Sequence, residues 1–119
     1  MAKIEYVGGV EIQARNVAEM ARWYSDFGMV TAFEYEGGQY GLLETAVGPL
    51  HFGITPRDPE AGGQAAGTIS LTFRVSDFAE FVAELSEKGL DPVEEIGDEQ
   101  GRFAVYRDPE GHKVLAWSP

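Results

Sequence analysis

Cysteine is missing from all 119 residues. That absence removes disulfides, thiolate nucleophiles and thiolate metal ligands together, leaving His51, His112 and the carboxylates as the available donors. Basic residues are scarce as well, with 9 Lys and Arg against 20 Asp and Glu and a formal charge of −11. A surface of that sign repels phosphate backbones, so no nucleic-acid partner is expected, whereas a cationic small molecule is acceptable. No apolar run approaches the roughly 20 residues a membrane span needs, and no basic start leads into an apolar stretch of the secretory kind. No membrane partner is expected, and the cytoplasm is the expected compartment. What is present is an ordinary globular composition, 44% apolar and 24% charged. The length supports one shared core rather than two independent ones.

The chain contains a repeat. Asn16-Val-Ala-Glu-Met-Ala-Arg-Trp-Tyr-Ser-Asp-Phe-Gly-Met29 returns 61 positions later as Asp77-Phe-Ala-Glu-Phe-Val-Ala-Glu-Leu-Ser-Glu-Lys-Gly-Leu90, with Ala18/Ala79, Glu19/Glu80, Ser25/Ser86 and Gly28/Gly89 identical. Each copy predicts a helix. Asn16 and Asp77 supply N-cap oxygens, the Glu three residues on completes a capping-box pattern, and Gly28 and Gly89 supply the stop. Val17, Met20, Ala21 and Tyr24, like Phe78, Phe81, Val82 and Leu85, follow the i, i+3, i+4, i+7 spacing of one buried helix face. The helices are expected over 17–27 and 78–88.

Strand signals surround each helix. Val10, Ile12 and Ala14 alternate with Glu11 and Gln13, and Leu71, Phe73 and Val75 with Ser70, Thr72 and Arg74. Three further short strands follow each helix: 30–35, 39–44 and 50–55 in the first half, 92–96, 101–106 and 112–117 in the second. They are joined by turns at Glu36–Gly38, Val47–Pro49 and Asp108–Gly111. These later strands align at an offset of 63, pairing Gly38 with Gly101, Tyr40 with Phe103 and Thr55 with Ser118. The stretch 57–67, rich in Pro and Gly and without apolar period, is the expected linker between a first module, 1–56, and a second, 68–119. The fold class is α+β, two tandem β-α-β-β-β modules in one domain.

A tandem β-α-β-β-β repeat with Asn or Asp capping each helix, Gly ending it, and Asp108-Pro-Glu-Gly111 before the last strand resembles the glyoxalase, bleomycin-resistance and extradiol-dioxygenase superfamily, the vicinal oxygen chelate proteins. The likeness spans essentially the whole chain. It implies a curved, half-barrel mixed sheet with the helices on its convex side and a ligand on its concave side. Members similar to bleomycin-resistance proteins are usually homodimers that exchange or share strands, and Trp23, beside the apolar stripe of the first helix, is a candidate for that surface.

The resemblance also locates a metal. Metal-dependent members carry ligands seven residues before each cap and four residues after the Gly of the Asp-Pro-x-Gly turn. Here those positions are Gly9, Ser70, Leu115 and, through the 63-residue offset, Phe52. None is a metal donor, so no metal and no other cofactor is expected. His51, adjacent to Phe52, is the one outside candidate and is expected on the opposite strand face or at an edge.

With no metal, the expected ligand-facing residues are Glu11, Gln13, Phe52, Ser70, Thr72, Arg74, Leu115 and Trp117, an apolar and aromatic wall with polar anchors. Phe52 and Trp117 offer rings to stack on. Beside the Arg74 guanidinium, Glu11 is a structural ion. Held away from it in apolar surroundings, Glu11 is a general base, with Arg74 stabilising an oxyanion. The expectation is a small-molecule-binding protein that sequesters an aromatic or cationic ligand such as an antibiotic, a resistance function. The alternative is a small lyase, isomerase or dioxygenase of the same superfamily, metal-dependent or using Glu11 as its catalytic base.

Overall fold

The computed structural model describes residues 2–35, 37–57 and 67–119. Of the expected linker, 58–66 lies outside the described residues, as does Glu36 in the first expected turn. The repeat appears as two compact units, Met1–Gln64 and Ala65–Pro119. The first contains β1 (Gly9–Ala14), α1 (Val17–Phe27), β2 (Val30–Tyr35), β3 (Gly38–Leu43) and β4 (Leu50–Pro56). The second contains β5 (Ser70–Arg74), α2 (Phe78–Glu87), β6 (Glu94–Asp98), β7 (Gly101–Arg107) and β8 (Lys113–Ser118). Each sheet is mixed and four-stranded, ordered β1-β4-β3-β2 in one and β5-β8-β7-β6 in the other, with the first pair parallel and the others antiparallel. This is the α+β architecture of two tandem β-α-β-β-β modules. Among the described residues no helix is long and apolar enough to cross a membrane.

Local chemistry explains both helices. Asn16 and Asp77 have extended backbones, and each Oδ1 accepts the N–H three residues on, Glu19 and Glu80, at 3.0 Å. An orphan donor of the first turn is thereby satisfied in each case. Gly28, at φ 138°, stops α1 by turning its N–H back to Tyr24 and Ser25. Lys88, expected as the last residue of α2, is its C-cap instead, and Gly89 at φ 83° follows it. The helix closes one residue early because the chain needs that positive φ to turn away.

Each helix covers one face of its own sheet. Met20, Ala21, Tyr24 and Phe27 of α1 are buried together with Ile12, Ala14, Phe52 and Ile54, and the Tyr24 ring lies 4.7 Å from that of Phe52. In the second unit Phe78 and Leu85 of α2 are buried, as are Ala104, Tyr106, Val114 and Ala116 of β7 and β8. Burial pushes the Tyr106 phenol up to about 12, with Glu95 and Asp91 adding to the shift, so this ring is a neutral core residue. Full burial of one such large apolar side chain contributes about 1.5–3 kcal/mol.

The Asp108-Pro-Glu-Gly turn is fixed from inside. Asp108 Oδ1 accepts from the Glu110 and His112 N–H groups at 2.9 Å each, and Gly111 takes the φ of 79° that the turn requires. His112 is fully buried, and its Nδ1 accepts the Ile69 N–H at 3.0 Å. That histidine is a pin between the start of β5 and the start of β8.

Candidate functional site

Strand pairing decides which residues share the face that the helix leaves uncovered. In the first module Gly9 pairs with His51, Glu11 with Gly53 and Gln13 with Thr55, while Val10, Ile12 and Phe52 lie on the helix side. In the second, Ser70 pairs with Lys113, Thr72 with Leu115 and Arg74 with Trp117. The predicted ligand-facing residues therefore fall into two groups, Glu11 and Gln13 on one sheet, and Ser70, Thr72, Arg74, Leu115 and Trp117 on the other.

Phe52 is the exception. It is fully buried under α1 against Tyr24, and its neighbour His51 takes the open face. The physical reason is parity. An offset of 63 fits the hairpin strands, but the parallel pairings set His51 against Gly9 and Lys113 against Ser70, so β4 and β8 correspond at 62. Because side chains alternate along a strand, an odd error in register moves a residue to the opposite face. The residue that corresponds to Leu115 is Gly53, and the expectation that His51 occupies the far face is likewise corrected.

The four positions counted for a metal thus become Gly9, Gly53, Ser70 and Leu115. Two glycines, a serine and a leucine do not form a donor set for a divalent ion. Among the described residues no group of three or more His, Asp or Glu is placed to hold one. The residues do not fit the metal of the resembled family.

The open face of module one is aromatic around a carboxylate. Tyr40 lies opposite Gly53, its ring 5.2 Å from His51 at 70° and stacked 4.8 Å from Phe33. Phe33 in turn lies 6.0 Å from Tyr35. Glu11 Oε1 accepts a hydrogen bond from Thr55 Oγ1 at 3.2 Å. A cavity of ≈ 310 Å³ opens here, lined by Gly9, Val10, Glu11, Tyr35, Tyr40, His51 and Gly53. Gly53 helps to create it: a Cβ at that position would stand 3.6 Å from Glu11 Cγ and 3.9 Å from Tyr35 Oη. A second cavity of ≈ 350 Å³, at the start of α1 and beside Gly37, is lined by Glu34 and Gln39. Those two side chains bond to each other at 2.9 Å, and the cavity they line carries the Tyr35 ring alone, whereas the first gathers the rings of Tyr35, Tyr40 and His51.

Module two presents a different surface at the same register. The Arg74 guanidinium carbon sits 5.5 Å from the centre of the Trp117 ring. Trp117 is held by Nε1 donating to the Gln100 carbonyl at 3.0 Å and by Phe103 stacked at 6.3 Å. Arg74 is thus fixed by a ring, a cation–π arrangement. The sequence reading missed Tyr35, Tyr40 and Gly53, and named His51 only as an outside metal candidate on the other strand face or at an edge. The signal that finds them is the alternation of Gly38, Tyr40 and Leu42 combined with an even offset for β4.

Residues 4–115 match the model of the Glyoxalase/Bleomycin resistance protein/Dioxygenase superfamily. Solved structures with the same fold include TnmS3, an antibiotic binding protein from Streptomyces sp. CB03234 (TM-score 0.78, 18% identity, 100% of this chain and 99% of that one). A bleomycin-binding protein complexed with bleomycin is also similar (TM-score 0.67, 20% identity, 98% and 99% covered), as is the oxidase ChaP-H2 (TM-score 0.68, 19% identity, 98% and 95% covered). No curated protein matches the sequence.

Proposed function

The chain belongs to the Glyoxalase/Bleomycin resistance protein/Dioxygenase superfamily, and from that premise we propose that it is a small-molecule-binding protein that sequesters an aromatic or cationic ligand, such as an antibiotic, without a metal. The observation that carries this reading is the open face of module one, where Tyr35, Tyr40 and His51 surround a ≈ 310 Å³ cavity beside Glu11. Apolar ring area with a few orienting polar groups is the usual composition of a ligand site. The donor-poor set Gly9, Gly53, Ser70 and Leu115 supports binding over metal-assisted turnover. Gln13, Ser70, Thr72, Arg74, Leu115 and Trp117 are further ligand-facing groups in this proposal, and Phe52 is withdrawn from it. Two similar folds, an antibiotic binding protein and a bleomycin-binding protein, support the same reading.

A homodimer is part of the proposal. Edge strand β2 exposes Val30, Phe33 and Tyr35, and Val93 and Ile96 are exposed beside and on edge strand β6, apolar area that association would cover. Sedimentation at micromolar concentration checks this, and a monomer refutes it.

The functional test is a thermal-shift screen of aromatic antibiotics and metabolites, followed by recovery of the ligand. Stabilisation by a compound recovered unchanged is the expected outcome. Turnover of such a compound, lost in Glu11→Gln while binding survives, establishes instead a metal-free enzyme with Glu11 as its base.

A further inference from the structure

Resting on the reading that these sheet faces bind a small molecule, we propose that module one selects the ligand and that it selects for positive charge: a flat organic cation of one or two fused rings. Three features of the cavity lead there. The first is space. Glycines stand at two open-face positions, Gly9 and Gly53, whose counterparts in module two are Ser70 and Leu115, so module one is hollow where module two carries side chains. At ≈ 310 Å³ the hollow lies near the lower end of the roughly 300–1,000 Å³ range of ligand pockets, which suits a small ring system rather than a whole large antibiotic.

The second feature is charge. The lining contains the Glu11 carboxylate and neither Lys nor Arg. Thr55 Oγ1 holds Glu11 Oε1, and Gly53, where a Cβ would stand 3.6 Å from Glu11 Cγ, places no side chain beside it. The third is the walls. Tyr40 stands edge-on to His51 and face-on to Phe33, with the Tyr35 hydroxyl near Gly53. Electron-rich ring faces beside a carboxylate attract a cation more than a neutral ring of the same shape. A chain charge of −11 raises the local concentration of cations further. Module two offers the opposite sign, with Arg74 and Lys113 at the positions of Gln13 and His51.

The test uses two nearly isosteric probes at pH 8, N-methylquinolinium as the cation and 2-methylquinoline as the neutral ring, titrated calorimetrically into the full chain. The cation should bind about tenfold more tightly, the difference expected of a partly desolvated cation–π and carboxylate site. Glu11→Gln should erase that preference. Glu84→Gln, which changes net charge equally from the surface of α2, should retain it. Gly53→Leu, which installs module two's residue, should abolish binding of both probes, with circular dichroism confirming the fold. Equal affinity of the two probes, or a preference that survives Glu11→Gln, overturns the assignment while leaving small-molecule binding itself intact. Failure of both probes to bind the unmodified chain also overturns it, and the antibiotic and metabolite screen then judges the broader reading separately.

Discussion

Set side by side, the two sheets agree where they meet their helices and disagree where they do not. Under the helices, Val10, Ile12, Phe52 and Ile54 correspond to Leu71, Phe73, Val114 and Ala116, apolar in every case. On the open faces, Glu11, Gln13, His51, Gly53 and Thr55 correspond to Thr72, Arg74, Lys113, Leu115 and Trp117. Charge reverses and bulk changes sides. A face that must pack against a helix tolerates only apolar residues of suitable volume, whereas a face left for solvent or ligand carries no such constraint. The comparison teaches that the repeat specifies scaffold, and that the copies part at six open-face positions, these five pairs and Gly9 against Ser70.

The largest test of that division concerns the helix face. Phe52→Ala should destabilise the protein by about 3–5 kcal/mol, the usual range for emptying a buried ring site, read from chemical denaturation. Val114→Ala, at the matching position, should cost about 2 kcal/mol, since it removes only two methyl-sized groups and leaves a smaller cavity. A Phe52 variant of undiminished stability but weakened ligand binding would reverse the face assignment.

That assignment is also where the sequence is least legible. Caps, stops and helix stripes were readable because each depends on residues within one or two turns. The faces of β1 and β5 were readable because alternation is equally local. Placing β4 required a count across the chain, and a count does not distinguish an inserted residue from a bulge. The connection from β3 to β4 spans 44–49, six residues, while that from β7 to β8 spans 108–112, five. An offset taken from hairpin strands therefore does not carry over to the parallel pair, and a one-residue error exchanged Phe52 for His51. The aromatic group around Glu11 was hidden for the same reason: Tyr35, Tyr40 and His51 lie on three different strands, brought together only by pairing.

A smaller effect sharpens the open-face contrast. Trp117→Leu should cost about 1–2 kcal/mol, since it removes ring packing on Phe103, the Nε1 hydrogen bond to Gln100 and the platform under Arg74. Thr55→Ala, its counterpart, removes one exposed hydrogen bond to Glu11 and should cost about 0.5–1 kcal/mol. Equal costs would show that the rings of module two are as dispensable to its fold as the hydroxyl of module one. Smaller again is the difference between the caps. Asn16→Ala and Asp77→Ala should each cost about 1 kcal/mol, because the same bond to the third residue is lost in both.

The smallest expected effect lies on the helices, at positions where geometry is shared and charge is not. Asn16, Glu19 and Trp23 of module one correspond, 61 residues on, to Asp77, Glu80 and Glu84. In module two the Glu84 carboxylate, and after it that of Asp77, raises the pKa of Glu80. A carboxyl whose pKa is higher folded than unfolded favours the native state while protonated, and that contribution is lost as pH rises through the raised value. Removing the repulsion should therefore help most at neutral pH and not at all in acid. Glu84→Gln is expected to give a small upward shift in Tm at pH 7 in low salt, shrinking as salt screens the exposed charges and disappearing when the carboxylates are protonated. Trp23→Gln, at the same helical position in module one, removes no such repulsion and instead loses the rings stacked on Phe27 and edge-on to Tyr24, so its Tm should fall. A Tm that drops in both variants would place Glu84 in a favourable contact and end the electrostatic half of the comparison.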